Sequence, residues 1–232
     1  MSGDLPNQAG VTIVIAAFEE EAALATVIGG LLRAGWRNVV VVDDGSADAT
    51  SEVAHRAGAH VLRHPINRGQ GAALQTGLTC ALQQGAEIVV TFDADGQHRV
   101  DDIEALISPI RTGEAHAVLG SRFLDHADAV PLGRRALLRG AVWFSRVFSG
   151  AQLTDAHNGL RALSAQMIGH IDITLDRMAH ASELVDQIVR SELPWREVSV
   201  RVEYTEYSRA KGQSSGAALR IAFDYLLGRI LR

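Results

Sequence analysis

AEIVVTFDADGQH, residues 86–98, is the stretch from which the fold can be read. Its β-favouring run Ile88, Val89, Val90, Thr91, Phe92 stops abruptly at Asp93, Ala94 and Asp95. A short, bounded apolar run is what a parallel strand buried on both faces looks like. It hands over to two carboxylates, a glycine and an amide, the composition of a ligand-binding loop. Asp and Gly are equally common in a solvated turn, so the motif alone leaves both readings open. Asp93, Asp95 and the amide oxygen of Gln97 place three hard oxygen donors close together, a set that suits Mg or Mn retaining several waters.

Upstream the same plan repeats. VTIVIAAF (11–18) reads as a strand and EEEAALATVIGGLLRAG (19–35) as a helix, with Glu residues in its first turn, where the helix dipole favours acid, and Gly at its end. NVVVVDDGSADAT (38–50) is a strand, an acidic turn and a helix start, with Ser46 or Asp48 available as N-cap. A short strand at 60–63, the loop HPINRGQG and a helix over about 71–84 make a third unit, and the opening stretch makes a fourth. Alternating strands and helices of this length predict an α/β fold around a mostly parallel central sheet. Ligands of such sheets bind at the carboxyl ends of the strands, where Phe18, Asp43, Asp44 and residues 93–97 all fall.

Downstream the pattern loosens. A helix at 101–111, a strand at 117–123, a turn and short strand over 153–164, a helix at 179–192 and a half-buried strand at 195–204 are expected. Residues 132–149 read as a helix, with Leu137, Ala141, Phe144 and Phe148 on one face and Arg135, Arg139 and Arg146 on the other. For Arg139 and Arg146 a solvated surface role is preferred. The last residues form an amphipathic helix with Leu219, Phe223, Leu226 and Ile230 in a stripe.

Several classes are disfavoured by composition and by missing motifs. A formal net charge of −5 argues against general nucleic-acid binding. One cysteine, Cys80 in an expected helix, offers neither a disulfide framework nor zinc-type spacing, and points to a reducing compartment. No signal peptide is visible and no apolar run is long enough to span a bilayer, so a soluble or surface-attached protein is expected. A glycine-rich dinucleotide fingerprint and a phosphate-loop motif are both absent, leaving a divalent cation as the natural counter-charge for a diphosphate. Asp44 with Gly45 could bind a ribose or base edge, or Asp43 and Asp44 could cap the following helix.

Taken together, IAAFEEE, VVVVDDGSADAT, NRGQGAALQTGL, VVTFDADGQH, LGSRF and TDAHNGLRALS resemble the family 2 glycosyltransferases of GT-A fold. Within them the chain is most similar to the dolichol-phosphate mannosyltransferase and polyprenyl-phosphate glycosyltransferase branch. The match runs over about residues 11–215, between a flexible tail at 1–10 and the C-terminal helix at 216–232. The resemblance implies an inverting, metal-dependent transfer of a hexose from a UDP- or GDP-linked sugar to a polyprenyl phosphate. It places Ala16, Phe18, Glu20, Asp44, Asp93 and Ala94 along the nucleotide, and Asp93, Asp95 and Gln97 on Mg or Mn. Arg122 and Arg135 would hold phosphate groups of donor or acceptor, helped by Arg209 and Lys211 in a basic C-terminal loop. Asp155 would act as a base or would orient Arg161 and its turn.

The chain departs from the family pattern at the first turn, where Ala16-Ala17-Phe18-Glu19 replaces Pro-x-Tyr-Asn, and at Gln70 and Leu138, positions commonly basic and Ser. These departures leave the donor open. The alternatives are transfer to a saccharide hydroxyl in cell-surface polysaccharide synthesis and a non-catalytic nucleotide-sugar-binding subunit of a membrane complex. The absence of QxxRW disfavours a processive polymer synthase. Work on a lipid phosphate would place the protein on the cytoplasmic face of the membrane, where a small membrane protein could supply an anchor.

Overall fold

The computed structural model describes residues 8, 10–124, 153–155, 158–175 and 179–203. The helices expected at 132–149 and 216–232, with Arg135, Arg139, Arg146, Arg209 and Lys211, lie outside these residues.

Four strand-then-helix units open the chain: β1 (Val11–Ala17) and α1 (Leu24–Arg33), β2 (Val39–Asp43) and α2 (Thr50–Arg56), β3 (His60–Arg63) and α3 (Gln70–Gln83), β4 (Ile88–Thr91) and, after a 3-10 turn at Val100–Asp102, α4 (Ile103–Arg111). Then come β5 (Ala117–Ser121), β6 (Arg161–Ser164), the short α5 (Ala165–Ile168), α6 (Ala179–Arg190) and β7 (Trp195–Ser199). The described strands form one sheet in the order β3-β2-β1-β4-β6-β5-β7. All neighbours are parallel except β6, which runs antiparallel to both β4 and β5.

Period-two alternation decides which side chain goes where. Ile13, Ile15, Val39, Val41 and Val90 join Leu24, Ile28, Leu31, Leu106 and Ile107 in one core layer under α1 and α4. Val14, Val40, Val42 and Val89 join Leu74, Leu78, Leu184 and Ile188 in the other, under α3 and α6. The valine run of β2 is therefore apolar at every position because both faces are covered. α3 sits so close to the sheet that a Cβ on Gly77 would lie 2.3 Å from Val14 Cγ1.

Three local expectations need correction. The glutamates do not occupy the first turn of α1, which starts at Leu24. The amides of Glu19 and Glu20 donate instead to Ser46 Oγ and Thr50 Oγ1, both at 2.9 Å, tying this turn to the one after β2. Ser46 and Asp48 do not occupy the N-cap of α2, which is Ala49. Ser46 is spent on Glu19, while Asp48 accepts from the amides of Thr50 at 3.0 Å and Glu21 at 3.3 Å. Two strands are also shorter than expected: β5 ends at Ser121 and β7 at Ser199, because the chain there turns to hydrogen bonds across the site.

Candidate active site

β1, β2 and β4 lie side by side and end at Ala17, Asp43 and Thr91, so their following loops share one edge of the sheet. Ala16 is half-buried in β1 opposite Val42. Phe18 is exposed at the rim, 40% accessible, whereas Glu20 is buried beside it. Glu19, between them, has φ of +55°, a left-handed conformation uncommon for a residue with a Cβ.

Asp44 is buried, and its carboxylate organises the neighbouring loop. It accepts from His64 Nδ1 at 2.7 Å, the Arg68 amide at 3.0 Å and the Gly69 amide at 2.7 Å. His64 is held on its other side by Thr76 Oγ1 at 3.0 Å. Asp43, completely buried, accepts from the Ser46 amide at 2.9 Å and from Ser51 Oγ. Neither carboxylate accepts from a backbone amide of α2, whose N-cap is Ala49, so the helix-capping alternative fits neither residue.

At the end of β4, Asp93 accepts from His98 Nε2 at 2.7 Å, and the Gln97 amide donates to Asp95 Oδ1 at 3.0 Å. Ala94 is buried between the two carboxylates. The 158–160 segment presses on Asp93. A Cβ on Gly159 would lie 2.4 Å from Asp93 Oδ1, and Thr91 Oγ1 donates to the Gly159 carbonyl at 2.6 Å. Only glycine allows this approach. Among the described residues, His98 Nδ1 and Asn158 Nδ2 are buried without a hydrogen-bond partner, polar atoms that a bound ligand could satisfy.

The electrostatics of these residues diverge. Burial alone would raise the Asp93 carboxyl, but the charge and hydrogen bond of His98, then Arg161 and His180, hold it below its ordinary value. Burial and the charge of Asp93 push Asp95 up, Glu20 adding to the effect, against the bond from Gln97. Arg161 is buried in β6, and desolvation lowers its guanidinium to about 10 despite the opposing influence of Asp93 and Asp155. It is thus a buried cation linking the two acidic corners.

The second corner is built on a buried ion pair. Arg122 donates from Nε to Asp155 Oδ2 at 2.6 Å and from Nη2 to Asp155 Oδ1 at 2.7 Å, with its amide also on Oδ2 at 3.2 Å. Both side chains are almost fully buried. Asp155 is bonded directly to Arg122, and its charge also reaches Arg161.

Among the described residues no group of three or more His, Cys, Asp or Glu is placed to hold a metal ion by itself. Asp93 and Asp95 lie close enough for the charge of Asp93 to raise the Asp95 carboxyl, and the backbone amide of Gln97 is bonded to Asp95. The repulsion that raises Asp95 is what a hard divalent cation relieves, so the donor chemistry fits one. Of the expected site residues, the structure gathers Ala16, Phe18, Glu20, Asp44, Asp93, Ala94, Asp95 and Gln97 along one strand edge, with Arg122 and Asp155 reached through Arg161. His98, Gly159 and Glu197 were not expected as site residues. His98 closes the DADGQH motif and could have been suspected from that, whereas Glu197 sits in an ordinary strand with no local signal.

The model of the glycosyl transferase family 2 matches residues 12–162, and the chain belongs to that family. It is a glycosyltransferase of GT-A fold. It is 30% identical to a UDP-N-acetylglucosamine–dolichyl-phosphate N-acetylglucosaminyltransferase of Methanococcus voltae, over 95% of this chain and 98% of the relative. It is also 30% identical to an undecaprenyl-phosphate mannosyltransferase of Micrococcus luteus, over 89% of this chain and 88% of that one. Among solved structures, glucosyl-3-phosphoglycerate synthase of Mycobacterium tuberculosis, in complex with Mn2+, UDP-glucose and phosphoglyceric acid, superposes with a TM-score of 0.67 at 22% identity, covering 94% of this chain and 79% of that one. That likeness carries the fold.

Proposed function

We propose that this chain moves a hexose from a UDP- or GDP-linked sugar to a polyprenyl phosphate, with inversion at the anomeric carbon. One observation carries the choice of acceptor. Asp155 gives both carboxylate oxygens to Arg122 in a buried pair, which makes it a poor proton acceptor. A sugar hydroxyl needs a base as it attacks, whereas a phosphate monoester, with a second pKa of about 6, is already largely ionised at neutral pH. The names of the two relatives, which act on dolichyl and undecaprenyl phosphates, support the same reading.

In this reading Phe18, Glu20 and the loop ordered by Asp44 receive the nucleoside, beside Ala16 and Ala94. Asp93, Asp95 and Gln97 would hold Mg or Mn. When bound, the cation neutralises charge on the departing nucleoside diphosphate. Arg122, fixed in plane by Asp155, binds a phosphate group, and Arg135, Arg209 and Lys211 are proposed to complete that binding. The acceptor oxygen attacks the anomeric carbon as the bond to the diphosphate breaks. A polyprenyl phosphate acceptor would place the work of the protein at a membrane surface; no described helix is long and apolar enough to cross a membrane.

Incubation with labelled UDP- and GDP-sugars and polyprenyl-phosphate vesicles tests this directly. Label is expected in the organic phase, dependent on Mg or Mn. Label recovered only in water-soluble saccharide would overturn the lipid-phosphate acceptor.

A further inference from the structure

Glu197 lies in β7, outside every motif of the site, opposite Leu119 in the parallel pairing with β5. Leu119 and Leu153 share the core layer under α3 and α6, so the same sheet face carries Glu197 towards the 153–155 turn. There its carboxylate collects a set of donors from two consecutive residues. Oε1 accepts from the amides of Thr154 at 3.0 Å and Asp155 at 3.1 Å. Oε2 accepts from the Thr154 amide at 2.9 Å and the Thr154 hydroxyl at 3.1 Å. The hydroxyls of Ser121 and Thr154 lie 2.5 Å apart, so the turn is also stitched to the end of β5, one residue before Arg122.

We infer that Glu197 is a positioning residue for Arg122: by fixing the backbone of 154–155 it aims the Asp155 carboxylate, which in turn fixes the guanidinium. The placement serves stability poorly. Burial pushes the Glu197 carboxyl up, and the nearby charge of Asp155 adds to that, against the hydrogen bonds that hold it ionised. A carboxylate set beside another carboxylate is intelligible if its two oxygens are needed where two successive N–H groups converge. That Arg122 serves a phosphate rests on the function proposed above; that Glu197 positions it does not.

Two readouts separate these claims. In the NMR spectrum the Nε–H of Arg122, bonded to Asp155, should give a protected, slowly exchanging signal. Glu197→Ala should bring that signal into fast exchange, and Glu197→Gln, which keeps one accepting oxygen, should have an intermediate effect. An Arg122 signal unchanged in Glu197→Ala, with the variant folded by circular dichroism, overturns the inference. In transfer assays Glu197→Ala should raise KM for whichever substrate Arg122→Ala affects, by about tenfold, the scale of a lost hydrogen bond to a charged group, with kcat changed far less. In the Arg122→Ala background the same substitution should have almost no further effect, because it acts through the missing guanidinium. Full additivity of the two substitutions counts against the inference. An altered NMR signal with no KM change in Arg122→Ala instead removes the phosphate role of Arg122 and leaves its positioning standing.

Discussion

Asp95 is held against its own preference. Burial raises its carboxyl, as do the charges of Asp93 and Glu20. A folded-state pKa above the unfolded value means that the contribution to stability is complete below the unfolded pKa, about 3.9, and is lost as pH rises through the raised one. At neutral pH the metal-free protein therefore bears the full repulsion. Asp95→Asn should stabilise it by about 1 kcal/mol, typical of relieving a functional strain, or roughly 2–4 °C in Tm for a chain of this size. The gain should shrink as the pH is lowered towards 4, and Mn2+ should no longer raise the Tm. Melting curves at several pH values with and without Mn2+ would check both. The DADGQH carboxylates stood out in the sequence because they follow a buried apolar strand directly, although the motif alone also suits a solvated turn. Glu197 did not, because it acts through a contact that local sequence does not encode, 42 residues from Asp155.

At the scale of elements, β2 and β4 could be read from their valines, since burial on both faces keeps them apolar up to the last residue, Asp43 or Thr91. The start of α1 could not. Glu19 to Glu21 suit a helix N-terminus by charge, but their backbone and side-chain groups bond across to the β2–α2 turn. This is a tertiary contact overriding a local propensity. The seat of α3 on the sheet offers a sharper test. Ala is favoured over Gly in a helix by about 1 kcal/mol, which argues for a stabilising Gly77→Ala. A Cβ there would lie 2.3 Å from Cγ1 of the fully buried Val14, and overpacking a tight core costs about 1–3 kcal/mol. The steric term should win, lowering Tm by several degrees in thermal denaturation. An unchanged or higher Tm would show that α3 can move away from β1.

For the whole molecule, the alternation of strands and helices made the α/β sheet readable, and the strand ends singled out the candidate residues at one edge of it. The antiparallel β6 was harder to foresee, because four residues carry no sign of direction. That strand carries Arg161, which feels the charges of both Asp93 and Asp155, so it couples the DADGQH turn to the Arg122–Asp155 pair. Catalysis in this account depends on the strand-end carboxylates acting on a diphosphate through a divalent cation. The most direct measurement is calorimetric binding of UDP and GDP to the wild type and to Asp95→Ala, each in Mn2+ and in chelator. The account predicts that Mn2+ tightens binding of one nucleotide to the wild type by at least about tenfold, the order of a modest metal-bridged contact, and does nothing for the variant. Equal affinity with and without Mn2+ in the wild type, or a metal-dependent gain that survives in Asp95→Ala, would contradict it.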